Sequence, residues 1–142
     1  MRAHRLSFLA LAAASLVSLP VLADRTPSPA GAEVYIISPK DGAKVKSPVT
    51  VVFGLKGMGI APAGIKFDNT GHHHLLVDAD PPADLSKPLP ADEHNVHFGK
   101  GQTETSLTLT PGKHTLQLLL ADYVHTPHDP AVMSKKITIT VE

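Results

Sequence analysis

The chain has 142 residues, with 13 Lys and Arg against 13 Asp and Glu, nine histidines, no cysteine, no tryptophan and only 4% aromatic residues. A balanced charge argues against nucleic-acid binding, the missing cysteine removes disulfide and thiolate chemistry, and scarce aromatics give no stacking platform for bases or sugars. Any metal site must draw on imidazole, carboxylate or thioether.

Residues 1–23 read as a secretory signal peptide. Arg2, His4 and Arg5 form a basic start, Leu6–Val17 is an apolar run too short to span a bilayer, and Val21-Leu22-Ala23 offers a small-residue cleavage site. Cleavage after Ala23 leaves 119 residues with eleven basic and thirteen acidic side chains, enough for one modest domain exported to the periplasm. No second membrane span is expected after that cleavage. Residues 24–32 (DRTPSPAGA) are polar and proline-rich and read as a flexible N-terminal arm, leaving residues 33–142 as a single domain.

Within that domain, Glu33–Ser38 and the β-branched run Val49–Leu55 read as strands, separated by turn chemistry at Pro39-Lys40-Asp41-Gly42. Glycines and a proline mark Lys56–Gly64 as a loop before a short extended piece at Ile65–Phe67. His72–Asp78 follows as a strand, and the proline-rich stretch Ala79–Pro90 is a long connection that cannot join a central ladder. Gln102–Thr110 alternates, Pro111-Gly112 turns, His114–Asp122 is the most apolar strand, and Lys136–Val141 closes the chain. About seven short strands with no helical period after the leader predict an all-β fold, an antiparallel β-sandwich of immunoglobulin-like shape.

The chemistry lies in the histidines. Eight of the nine follow residue 23: His72, His73 and His74 together, His94 with His97, His114, and His125 with His128. On a strand, alternation puts His72, His74, Leu76 and Asp78 on one face and His73, Leu75 and Val77 on the other. Residues at i and i+2 then point the same way roughly 6–7 Å apart, within reach of one metal ion. Sandwich loops converge at the ends of the sheets, so rings distant in sequence can gather at one pole. The candidate metal ligands are His72, His74, His97, His125, His128 and His94, and the favoured set is His72, His74, His97 and one of His125 or His128. His73 and His114 share faces with leucines and valine and read as structural, and Met58, between Gly57 and Gly59, reads as a gap-filler.

The order TGHHHLLVD, HNVHFGKGQTE, PGKHTLQLLLADYVHTPHDP and SKKITITV resembles domain-of-unknown-function family 4399, small exported bacterial proteins, from about Thr70 to Val141. That resemblance carries no established activity. It implies that Gly71, the histidines from His72 to His128, Asp78, Gly101, Gln102 and Asp122 stand at the family's motif positions. A weaker likeness is to periplasmic copper-binding sandwiches of the CopC type, through Ser38-Pro39-Lys40-Asp41-Gly42 and the Asp/His loop Ala121–Pro130. Those proteins place a ligand histidine at the mature N-terminus, where this chain has Asp24, so the likeness bears on the fold more than on copper.

The function expected from the sequence is a periplasmic carrier or buffer for Cu(II) or Zn(II), with binding that falls as pH drops through about 6.5. The alternative is an envelope binding or scaffold module, gripping another envelope protein, whose histidines are structural hydrogen-bonders. A catalytic role ranks below both, since neither an HExxH motif nor a serine nucleophile elbow is present.

Overall fold

The computed structural model describes residues 24–142, and the expected signal peptide lies outside them. All regular structure among the described residues is strand: β1 (Glu33–Ser38), β2 (Lys44–Val45), β3 (Val49–Lys56), β4 (Gly59–Ile60), β5 (Thr70–Val77), β6 (Asn95–His97), β7 (Glu104–Leu107), β8 (Gly112–Ala121) and β9 (Ile137–Val141). A three-stranded sheet runs β1-β3-β7 and a larger one runs β2-β9-β8-β5-β4, with β6 also paired to β5. The architecture is the expected all-β sandwich. Most pairings are antiparallel, while the two-residue strands β2 and β4 join β9 and β5 in parallel. No helix among the described residues is long and apolar enough to cross a membrane.

Alternation along the strands builds the core. Val34, Val51 and Phe53 of the small sheet meet Leu75, Val77, Leu116, Leu118, Leu120 and Ile139 of the large one, all buried. The inward position between Gly71 and Leu75 is filled by His73, whose ring packs against Phe53 at 5.0 Å between centroids. The opposite face of the large sheet is covered as well. Leu119 and Ala121 point outward there and pack with Leu89 and Leu85 of the proline-rich connection after β5. That connection donates no ladder hydrogen bonds, which suits prolines, yet it roofs the face that a two-layer sandwich leaves to water.

Two expectations meet a different outcome. Ile65–Phe67 forms no strand: Ile65 and Phe67 are 55% and 71% exposed, and the chain there loops out between β4 and β5. Residues 24–32, expected as a flexible arm, lie against the loop after β8. The Ser28 amide donates to Asp129 O at 3.1 Å, and the Asp129 amide donates to Thr26 O at 2.9 Å. Polar composition gives this segment no core of its own, but backbone pairing and side-chain hydrogen bonds to a folded neighbour need none.

The pairing of β5 with β8 requires a glycine at its start. A Cβ on Gly71 would stand 2.6 Å from the Ala121 carbonyl oxygen and 2.8 Å from His128 Cε1. Gly71→Ala is therefore expected to cost about 1–3 kcal/mol of stability through overpacking against backbone that cannot yield. A shift of the urea midpoint at constant m-value checks it.

Candidate metal centre

Four rings converge on the outer face of the large sheet. The β5–β8 register sets His72 opposite Ala121 and His74 opposite Leu119, so both rings point away from the inter-sheet core. On the other edge of β5, His74 pairs with His97 of β6, which places those two side chains on the same face. Asp92 starts β6 by accepting the amides of His94 and Asn95 on Oδ1 at 2.9 and 2.8 Å. His125 arrives from the turn after β8. It has a left-handed backbone, φ 67°, which histidine tolerates better than most residues but at a cost of order 1 kcal/mol or more. Asp122 stabilises that turn: its Oδ1 accepts the amides of Val124 and Thr126 at 3.0 and 2.9 Å. The His125 carbonyl in turn accepts the Leu89 amide at 2.8 Å, tying the roof to the site.

One ligand-type nitrogen from each of His72, His74, His97 and His125 lies within 4.8 Å of the other three. Nitrogens bound to one tetrahedral ion at ~2.0–2.1 Å sit roughly 3.3–3.4 Å apart, so small ring rotations would bring all four into bonding distance. Ring centroids are separated by 4.7 Å for His97 and His125 and by 6.2 Å for His74 and His125. The hydrogen bonds prepare the donors. His74 Nδ1 donates to Asn95 Oδ1 at 2.8 Å, and since Oδ1 only accepts, His74 Nε2 is left as a bare lone pair. His72 Nε2 and His125 Nδ1 share a hydrogen bond of 3.2 Å. The buried atoms His72 Nδ1, His74 Nε2 and His97 Nε2 have no hydrogen-bonding partner in the protein.

The remaining histidines are elsewhere. His128 is fully buried beside Gly71 and donates from Nε2 to Thr70 O at 3.1 Å. His94 donates from Nδ1 to Val77 O at 2.9 Å and turns the rest of its ring to solvent. Neither joins the four rings, so the choice left open between His125 and His128 falls geometrically to His125. His73 has no hydrogen-bonding partner for either ring nitrogen and serves as a core side chain. His114 is less a packing residue than an ion-pair partner: its Nδ1 faces Asp78 Oδ2 at 2.7 Å and its Nε2 donates to Thr110 O at 2.8 Å. Met58 packs against the inter-sheet core.

One expectation about the site changes. The rings meet on a sheet face rather than at a pole of the sandwich, because the β5 register sends His72 and His74 outward, with the proline-rich connection covering β8 beside them. Sequence reasoning also passed over Asn95 and Gly99. Asn95 lies inside the HxxH segment and sets the His74 tautomer. Gly99, two residues past His97, leaves the space its ring occupies: a Cβ there would lie 2.2 Å from His97 Cε1 and 2.5 Å from Nε2.

Burial dictates the charge state. Desolvation, reinforced by the neighbouring rings, pulls His72 down to about 3, with the Asp122 carboxylate opposing weakly. Desolvation likewise lowers His74 to about 4 against the opposing Asn95 hydrogen bond, lowers His73 to about 4, and lowers His97. These imidazoles are thus neutral, as ligands must be. Proton competition at His72 and His74 sets in near pH 3–4, well below the 6.5 of a free imidazole.

A family model described as Domain of unknown function (DUF4399) matches residues 51–142, a span that holds all four converging rings and begins after β1 and β2. No curated protein and no solved structure matches the chain.

The depressed values make metal-free stability depend on pH with a definite sign. An unfolded chain takes up protons on these rings below about 6.5 while the folded one does not, so stability is present above 6.5 and is lost as pH falls toward 3–4. Each ring contributes a slope of roughly 1.4 kcal/mol per pH unit. His114, raised chiefly by its hydrogen bond to Asp78, works in the opposite sense: its contribution is present below 6.5 and lost as pH rises through its raised value. Since His72, His73 and His74 all lose stability in this window while His114 is protonated in both states below 6.5, metal-free protein is expected to acid-unfold before about pH 4. His73→Leu, which removes one depressed ring without touching the four-ring cluster, is expected to flatten the slope by about one proton in urea titrations between pH 6.5 and 4.

Proposed function

The chain belongs to the DUF4399 family, and we propose that it is a metal-binding protein that holds one Zn(II) or Cu(II) ion with His72, His74, His97 and His125, acting as a carrier or buffer in the periplasm. The observation that carries this reading is a group of four histidines whose ligand-type nitrogens lie within 4.8 Å of one another, three of which, His72, His74 and His97, each leave a buried ring nitrogen without a protein hydrogen-bonding partner. Leaving such groups unpaired costs about 1–3 kcal/mol each, and a bound cation would turn that cost into bonding. The donor set is nitrogen throughout, which suits Zn(II) and Cu(II) and disfavours the oxygen-seeking Ca(II) and Mg(II). Four protein ligands fill a tetrahedral shell, an arrangement suited to holding an ion more than to activating a substrate on it. Export to the periplasm rests on reading residues 1–23 as a signal peptide.

A second reading has one observation in its favour. His72 and His125 already hydrogen-bond each other, as members of a purely structural network would. In that case each histidine substitution lowers the melting temperature whether or not a chelator is present.

The two readings part on metal addition. Tag-free, chelator-stripped protein is expected to bind one equivalent of Zn(II) or Cu(II), and at a free concentration 100 times Kd to gain about 2.7 kcal/mol, reversed by EDTA. A His72→Ala/His74→Ala/His97→Ala variant should lose that gain, while the gentler His97→Gln and His125→Asn, the latter keeping a residue that tolerates φ above zero, should bind more weakly and lose part of it. Calorimetric titration and thermal melts check both, and a melting temperature indifferent to metal and chelator sinks the carrier reading. Gly99→Ala should displace the His97 ring and weaken binding by about tenfold or more while leaving the far-ultraviolet spectrum unchanged, as a competition titration would show.

A further inference from the structure

The four rings differ in what holds them. His72 and His74 ride on β5 between β8 and β6, and His97 rides on β6, so all three are fixed by ladder hydrogen bonds. His125 sits on an irregular turn whose shape depends on a segment about a hundred residues earlier. Thr26 Oγ1 donates to Asp122 Oδ2 at 2.6 Å, on the same carboxylate whose other oxygen gathers the turn's amides. The Arg25 guanidinium donates from Nε to Pro127 O at 3.0 Å and from Nη2 to His128 O, and also approaches the Asp129 carboxylate at 3.6 Å. Pro27 and Asp129 close the contact with a short parallel bridge. Arg25 and Thr26 thus grip the His125 turn on both sides of the ring without touching the ring itself.

Resting on the metal-binding reading above, we infer that Arg25 and Thr26 are positioning residues for His125, and that His125 is the ligand that detaches when the ion passes to an acceptor chelator. The backbones that carry the other three rings are held in ladders, whereas the His125 turn is held by its own Asp122 bonds, the Leu89 amide and the clasp, so opening the clasp loosens the His125 backbone first. The exchange balances simply. The bond from the His125 nitrogen to the ion breaks, a nitrogen or carboxylate donor of the acceptor takes the vacated position, and the ion keeps its charge. Three histidines with one open position are a coordination set from which an ion can be drawn stepwise, while the closed four-histidine set retains it.

The test uses the full chain loaded with one equivalent of Cu(II) and transfer to excess EDTA followed by stopped flow, with the visible and electron paramagnetic resonance spectra recorded alongside. Arg25→Ala/Thr26→Val is expected to speed transfer by about tenfold and to move the spectra toward those of His125→Asn, while Cu(II) still binds in one equivalent. Thr26→Val alone, which removes one hydroxyl, is expected to give about threefold and serves if the double variant does not fold. In a His125→Asn background the clasp substitutions should change the rate by less than about twofold, since their effect passes through that ring. Loading with unchanged transfer, or equal acceleration in the His125→Asn background, overturns the clasp and leaves the metal site standing. Wild-type protein that takes up no Cu(II) overturns the metal reading and this inference with it.

Discussion

The register of β5 between β8 and β6 is the constraint from which the site follows. Because side chains alternate with period two, three consecutive histidines on this strand must divide between its faces, one inward and two outward. The inward ring meets Phe53 in the core, and the outward pair meets His97 across the ladder. A slip of one residue would bury two imidazoles between the sheets and leave a single ring outside. Gly71, where the strand begins, admits the close approach of Ala121 and His128 that fixes this alignment.

Burial then selects the protonation state, and hydrogen bonding selects the tautomer. Outward-facing side chains on an ordinary sandwich would be wet, and their imidazoles would titrate like free histidine. Here the proline-rich connection roofs the face with Leu85 and Leu89, and its Leu89 amide bonds to the carbonyl of the very residue that supplies the fourth ring. The roof and the ring thus depend on each other. Asn95 adds directionality by accepting a hydrogen bond from His74 Nδ1–H, which keeps the proton on that nitrogen and leaves Nε2 bare. Burial and these hydrogen bonds restrict the rings, so a ligand held by them would find little side-chain freedom left to lose.

Much of this was legible in the chain. Alternation through HHHLLV gives the split of faces, the β-branched and leucine runs give the strands, and the HxxH segments mark His97 and His125 as candidates. The choice between His125 and His128 was not readable, because it depends on a left-handed backbone imposed by Asp122 amide bonds within the turn. The pairs Lys44–Val45 and Gly59–Ile60 carry too few residues to show a period, and only their partners make them strands. Ile65–Phe67 misleads in the other direction, its β-favouring residues finding no strand to pair with. Residues 24–32 show the same limit: composition measures what a segment can bury alone, not the hydrogen bonds a distant loop offers it.

The side chains of the four-ring group are imidazoles alone, the chain has no cysteine, and Met58, partly buried, packs against the inter-sheet core and is not among the four. Sulfur ligands are the ones that peroxide and hypochlorous acid attack first, turning thiolates into sulfenic acids and thioethers into sulfoxides. A centre made wholly of imidazole nitrogen has no sulfur to lose, so oxidants that disable thiol-based chelators would leave its donors chemically intact.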